Sequence, residues 1–145
     1  MSGITDPTEE YFKDGLWGWD GSRWRKQGLL FGYRATICAT ISNLEANEGT
    51  NFLESEPVPA GELWIIQMVG GMNTDSAFSS LILSIIRSNT GYPVLDQVSC
   101  AGGVWVIWTG SIVLAAGDTL KAAFLGCKSG DDIQLKYLGY KVVIT

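Results

Sequence analysis

The sequence predicts an all-β protein, an antiparallel β-sandwich of about eight strands. Three observations predict it. Short runs alternate with a period of two. In Thr119–Leu125, Leu120, Ala122 and Phe124 share a side; in Ile133–Tyr137, Ile133, Leu135 and Tyr137 oppose Gln134 and Lys136. Glycine–aspartate corners, Gly117-Asp118 and Gly130-Asp131, delimit these runs and supply tight turns. Turn signals recur roughly every ten residues, and no stretch carries a helical period.

Taken in order, Met1–Asp14 is polar and aperiodic and reads as a disordered tail or arm. Gly15–Gln27 (G-L-W-G-W-D-G-S-R-W-R-K-Q) reads as a hairpin turning at Asp20-Gly21, with Trp19 and Trp24 facing each other across it. The first long strand is expected over Leu29–Ile41. Ser42–Gly61 is mostly loop, with a short strand at Asn51–Glu54. Leu63–Val69 (L-W-I-I-Q-M-V) is a buried strand, broken by Gly70-Gly71. Ser79–Arg87 follows, then a turn at Asn89-Thr90-Gly91 and a short strand at Val94–Val98. Gly102-Gly103 marks another turn. Val104–Leu114 is either one strand kinked at Gly110 or two strands. The last strand starts at Ile133. Its apolar phase slips near Leu138-Gly139, which predicts a β-bulge.

Long loops alternating with tight turns point to two packed sheets, jelly-roll-like in connection; no Cys–Trp–Cys spacing supports an immunoglobulin-like alternative. The expected division is an N-terminal arm and Trp-rich hairpin at residues 1–27 and a β-sandwich at 28–145.

The 145 residues suit one domain, and 46% hydrophobic content supports a real core. Charged residues are 17%, below the roughly 25% usual for soluble domains. Sparse charge on a folded chain points to surface covered by a partner. The net charge of −5 argues against nucleic acid as that partner. Five glutamates and no cation lie between Ile41 and Glu62, so these loops are solvated or face a basic partner. Cys38, Cys100 and Cys127 are odd in number and lack a C-x-x-C spacing. They read as free thiols in a reducing compartment, with a single disulfide left open. No signal-peptide pattern opens the chain, and no apolar run approaches the ~18 residues of a membrane span, so no membrane role is expected.

Chemistry is nearly silent. There is no histidine, hence no usual general base, triad partner or commonest metal ligand. No nucleophile elbow, P-loop or dinucleotide fingerprint occurs. Asp131-Asp132 resembles half a calcium site but reads better as a turn before a strand. Glu54 and Glu56 share one loop, a poor arrangement for opposed glycosidase carboxylates. The cysteines have no adjacent base. A non-enzyme without metal or cofactor is expected.

The candidate site residues are therefore aromatic and basic. Trp17, Trp19 and Trp24 with Arg23 and Arg25 form a cluster suited to anchoring a partner or stacking a sugar, or else to covering the sandwich edge. Trp105 and Trp108 are candidate exposed aromatics. Three apart on one strand, they face opposite sides, which puts one in the core and the other at the surface.

The segment W-D-G-S-R-W-R-K (Trp19–Lys26) resembles short Trp-rich segments of tailed-phage structural proteins. Trp108–Ala122 (W-T-G-S-I-V-L-A-A-G-D-T-L-K-A) and Gly130–Tyr140 (G-D-D-I-Q-L-K-Y-L-G-Y) resemble the closing strands of small virion jelly rolls, and Leu114–Leu120 (L-A-A-G-D-T-L) resembles the turn before the penultimate strand of tumour-necrosis-factor-like sandwiches. The layout is similar to trimeric tumour-necrosis-factor-like sandwiches. The resemblance implies a virion structural protein assembled in the host cytoplasm. It would be a capsid decoration protein, a homotrimer binding the major capsid protein or another virion protein. The alternative is a carbohydrate-binding module or receptor-binding tip that meets a glycan through exposed Trp rings.

Overall fold

The structure is a computed structural model. It describes the backbone of residues 17–19, 24–26 and 33–144, and side chains from Ala35 to Ile144. The arm at residues 1–14 lies outside the described residues. Strands β1 (Trp17–Trp19) and β2 (Trp24–Lys26) form a two-stranded antiparallel hairpin in which Trp19 pairs with Trp24.

Eight further strands build two four-stranded antiparallel sheets. They are β3 (Tyr33–Asn43), β4 (Gly49–Glu54), β5 (Glu62–Asn73), β6 (Phe78–Arg87), β7 (Thr90–Cys100), β8 (Val106–Leu114), β9 (Thr119–Cys127) and β10 (Ile133–Val143). One sheet has the order β3-β10-β5-β8 and the other β4-β9-β6-β7. The pairings β3·β10, β4·β9, β5·β8 and β6·β7 are nested, so the chain is one long antiparallel ribbon with its tip at β6–β7. Rolling that ribbon brings β10 beside β5 and β9 beside β6. This is the jelly roll that the loop pattern predicts.

Alternation fixes what faces inward. Leu120, Ala122 and Phe124 of β9 meet Leu81 and Leu83 of β6, and across the sandwich Ile66, Val69, Leu114, Ile133 and Leu135; all are essentially inaccessible to solvent. Phe78 and Phe124 pack with ring centroids 5.6 Å apart, and Trp64 stacks on Tyr137 at 6.4 Å.

Several strands outrun their expected bounds. Gly70-Gly71 does not break β5, which continues to Asn73. The glycines mark close approach instead. A Cβ on Gly71 would sit 2.7 Å from Leu81 Cδ2, and Gly70 lies beneath Trp105 and Ile107. β7 is not a short strand at Val94–Val98 but spans Thr90–Cys100, with Pro93 inside it. It is an edge strand, where a missing N–H is tolerated, and its register against β6 shifts at the Leu83/Ser84 step. The preceding turn is built by Ser88 and Asn89, both at positive φ (51° and 61°), between the paired Arg87 and Thr90. β8 is one strand, and its register against β5 slips around Gly110. The bulge expected in β10 occurs against β5 at Leu138/Gly139, while the slip against β3 falls at Lys141/Val142.

The two glycine–aspartate corners form matching clips at the two ends of β9. Each glycine has φ of 88°, the conformation needed at the third position of a type II turn. Asp118 N–H donates to Ala115 O at 3.0 Å and Asp131 N–H to Lys128 O at 3.1 Å. Each carboxylate accepts from the N–H that opens its turn, Ala115 at 2.9 Å and Lys128 at 2.8 Å. Each corner also grips a distant loop by two backbone bonds. Gly117 and Asp118 hold Val58; Gly130 and Asp131 hold Ala46. Both loop residues are 2% exposed.

The clips differ in their side-chain partners. Arg87 reaches Asp118 Oδ2 through Nε at 3.0 Å and Nη2 at 2.7 Å. The hydrogen bond from Arg87 pulls the Asp118 carboxyl below its ordinary range against the opposing effect of burial. Asp131 receives Asn73 Nδ2 at 2.7 Å and Ser76 Oγ at 2.8 Å. Burial pushes the Asp131 carboxyl up, but bonds from Asn73, Lys128 N–H and Ser76 outweigh it and hold it low. Arg87→Ala is expected to lower the urea midpoint less than Asp118→Ala. Arg87 is half exposed and water replaces it, whereas losing Asp118 removes the acceptor of the part-buried Ala115 N–H.

Candidate partner interface

The two sheets present different outer faces. On β4-β9-β6-β7, one row across the sheet runs Phe52–Ala123–Ile82–Asp96, and the next includes Leu125–Ser80–Val98. Phe52, Ala123, Ile82 and Leu125 point away from the core because their neighbours Leu53, Ala122, Phe124, Leu81 and Leu83 point into it, whereas Ser80 is buried. Phe52 is 57% and Val98 65% exposed. Lys121 Nζ lies 4.4 Å from the Phe52 ring centroid, a cation–π contact on the same face. Glu54 accepts from Thr119 Oγ1 at 2.9 Å, so it is tied to the sheet. The face is thus an apolar band with charges at its margin, a pattern suited to burial against another protein.

The outer face of β3-β10-β5-β8 is polar along β3, where Thr36, Cys38, Thr40 and Ser42 are exposed, and apolar along β8, where Ile107 is 53% and Val113 51% exposed. Trp105 lies on this face. Its ring covers Gly70 (Cε3 3.4 Å from where a Cβ would stand), and Lys136 Nζ approaches the ring to 5.9 Å. Trp108 packs against the core from the other side of the strand, and Gly110 leaves room for its ring. Both tryptophans are half-buried. The side chains of Trp17, Trp19, Arg23, Trp24 and Arg25 lie outside the described residues.

Other features offer little reactive chemistry. An open depression of about 600 Å³ is lined by Ala77, Phe78, Ser79, Ser99, Cys100, Ala101 and Gly126. Its thiol, Cys100, is buried, donates to Gln97 O at 3.3 Å and is pushed above the usual cysteine range by burial. Cys127 is likewise raised by burial. All three cysteines are free, and Cys38 alone is exposed. Among the described residues no group of three or more His, Cys, Asp or Glu side chains is placed to hold a metal. The Asp131 carboxylate is occupied by its own turn and by Asn73 and Ser76. The exposed band of Phe52 and Val98 escaped the sequence reading. The signal was present for Phe52, which stands out of phase with the buried Asn51 and Leu53, but not for Val98, which shares the phase of Val94 and Cys100, both packed against the core.

No protein-family model and no curated protein sequence matches the chain. Among solved structures it is similar to a subunit of the disulfide-linked pili of Bacillus endospore appendages, at 13% identity over 77% of this chain and 88% of that one, with a TM-score of 0.42. It is also similar to a CBM4 structure, at 10% identity over 77% and 79%, with a TM-score of 0.34. A third is the Gx strain of infectious bursal disease virus, at 10% identity over 77% of this chain and 43% of that one, with a TM-score of 0.28. The neighbours therefore include a virus particle, a pilus and a carbohydrate-binding module. None is close enough to assign this chain a function.

Proposed function

We propose that the chain is a non-enzymatic structural protein of a virus particle, a capsid decoration protein that assembles as a homotrimer and cements the capsid lattice. The observation that carries the reading is the apolar band that β4-β9-β6-β7 exposes among the described residues, running from Phe52 on one edge strand to Val98 on the other. Burying such side chains against a neighbour stabilises contact by about 25 cal/mol per Å² of apolar surface. Many modest contacts repeated over a lattice add up through avidity, without any catalytic group. The low charge content of 17% and the phage-like Trp19–Lys26 segment support the same reading.

The test is native mass by light scattering on the parent and on Phe52→Lys. A three-chain mass that falls in Phe52→Lys is the expected result. A parent monomer that also fails to co-sediment with capsid shells would overturn the reading. The half-buried Trp105 beside Lys136 favours one alternative, a glycan-binding module. That alternative predicts a saturable shift in tryptophan fluorescence on adding soluble glycans, abolished by Trp105→Ala; no response is expected if the chain acts in assembly.

A further inference from the structure

A two-stranded hairpin alone is marginal in water and needs an apolar surface to lie on. The β1-β2 register pairs Trp19 with Trp24 and Trp17 with Lys26, so the three tryptophans fall on one face of the ribbon and Gly18 and Arg25 on the other. Six residues separate Lys26 from Tyr33, where β3 begins. Fully extended, that stretch reaches roughly 24 Å. Any surface of its own chain that holds the ribbon is therefore near the start of β3.

The sandwich has an apolar surface there, and one residue on it is already covered. Tyr33 pairs with Val142 of β10, and Val142 pairs in turn with Leu63 of β5. Trp64 and Ile66 pack into the core, so Leu63 and Ile65 belong to the outer face, and Val142 and Tyr140, their partners, share it. Val142 is nevertheless only 7% exposed, and it is not part of the core cluster. Leu63 and Ile65 are half-buried. One strand further out, Val113 pairs with Ile65 and is exposed. An outward valine is not buried that deeply by strand neighbours alone. Its burial calls for a cover on the solvent side of β10 and β5 that stops short of β8.

We propose that the β1-β2 hairpin is that cover, lying by its tryptophan face on the outer face of its own β10 and β5, over Leu63, Ile65 and Val142. Leu63 is two strands from Tyr33, about 10 Å away, well inside the reach of residues 27–32. A two-stranded ribbon is about as wide as the two strands it covers, which leaves Val113 in solvent. The tryptophans that read as a partner anchor or a sugar platform then form an outer layer of the sandwich. The contact lies within one chain and does not use the Phe52 face, so its failure leaves the decoration reading standing.

Trypsin supplies the test, because it cuts after Arg23, Arg25 and Lys26 only when the ribbon lifts. In the full-length chain these bonds are expected to be cut at least tenfold more slowly than in a synthetic peptide of residues 15–32. Leu63→Glu, beneath the ribbon, is expected to speed the cutting several-fold while the sandwich still melts cooperatively. Val142→Glu replaces it if Leu63→Glu does not fold. Ile107→Glu, on the exposed part of the same face, is expected to leave the rate unchanged. Phe52→Lys, which lowers the native mass, is expected to keep the protection, since the cover comes from the same chain. Cutting of the parent as fast as the peptide, or protection that survives in a folded Leu63→Glu or Val142→Glu, overturns the proposal. Protection lost together with mass in Phe52→Lys overturns it too, by giving the cover to a neighbouring copy.

Discussion

Replacing Gly139 with alanine is expected to cost about 3 kcal/mol or more, enough to lower the melting temperature by about 10 °C. Gly139 sits where β10 shifts register against β5. A Cβ there would fall onto the carbonyl oxygen of Ile65 and lie 2.9 Å from Ile66 Cα and 3.0 Å from Ile65 C. All three are backbone atoms of β5, so no side-chain rotamer relieves the clash. β10 cannot retreat either, because β3 pairs with its other edge. Gly70→Ala is the control. Its Cβ would meet neighbours at 3.4 Å, ordinary contact distance, and little loss is expected. A Gly139→Ala chain that melts beside the parent would show that β5 can yield at Ile65.

Asp131→Ala is expected to be nearly as damaging, at about 3 kcal/mol. Asp131 is 4% exposed and Asn73 is fully buried. Removing the carboxylate orphans Asn73 Nδ2 and the Lys128 N–H, and frees Ser76 Oγ. It also loosens a junction of loops, since Asn73 Oδ1 accepts from the N–H groups of Asp75 and Ser76, and Asn73 O accepts from Gly103 N–H. The acid limb should report the same group. The folded carboxyl is held below its ordinary value, so the unfolded chain takes up protons first as pH falls. The stabilisation is complete above about pH 4 and is lost as pH drops through the lower folded value. Asp118 contributes with the same sign. Urea melts from neutral to acid pH should show a shallower acid limb in Asp131→Asn than in the parent. An unchanged limb would mean that the carboxylate is not what the corner holds.

Much of this fold was legible in the chain because alternation and turn residues are local signals. The runs around Leu120–Phe124 and Ile133–Tyr137, the corners at Gly117 and Gly130, and the slip near Leu138 lie in the strands and turns they announce. What was not legible depends on contacts distant in sequence. Gly70-Gly71 looks like a break until Leu81 and Trp105 are seen crossing it. Pro93 argues against a strand until β7 is known to be an edge. The Asn73–Asp131 bond spans 58 positions and leaves no local trace. The candidate interface was harder still. Phe52 and Val98 each look like ordinary strand residues, and only the register of four strands brings them onto one face.

The paired clips around β9 also bear on time. β4 is a short strand at a sheet edge, a position from which strands ordinarily fray and exchange their amide protons early. Here the chain is pinned just before β4 at Ala46 and just after it at Val58, with Ser55 N–H bonded to Leu120 O between the pins. Peeling β4 away means opening both corners at once, so its exit is coupled to the unfolding of β9 in the sheet interior. The shortest strand of the sandwich should therefore be among the slow exchangers, and the longer, unclipped β7 should let solvent in first.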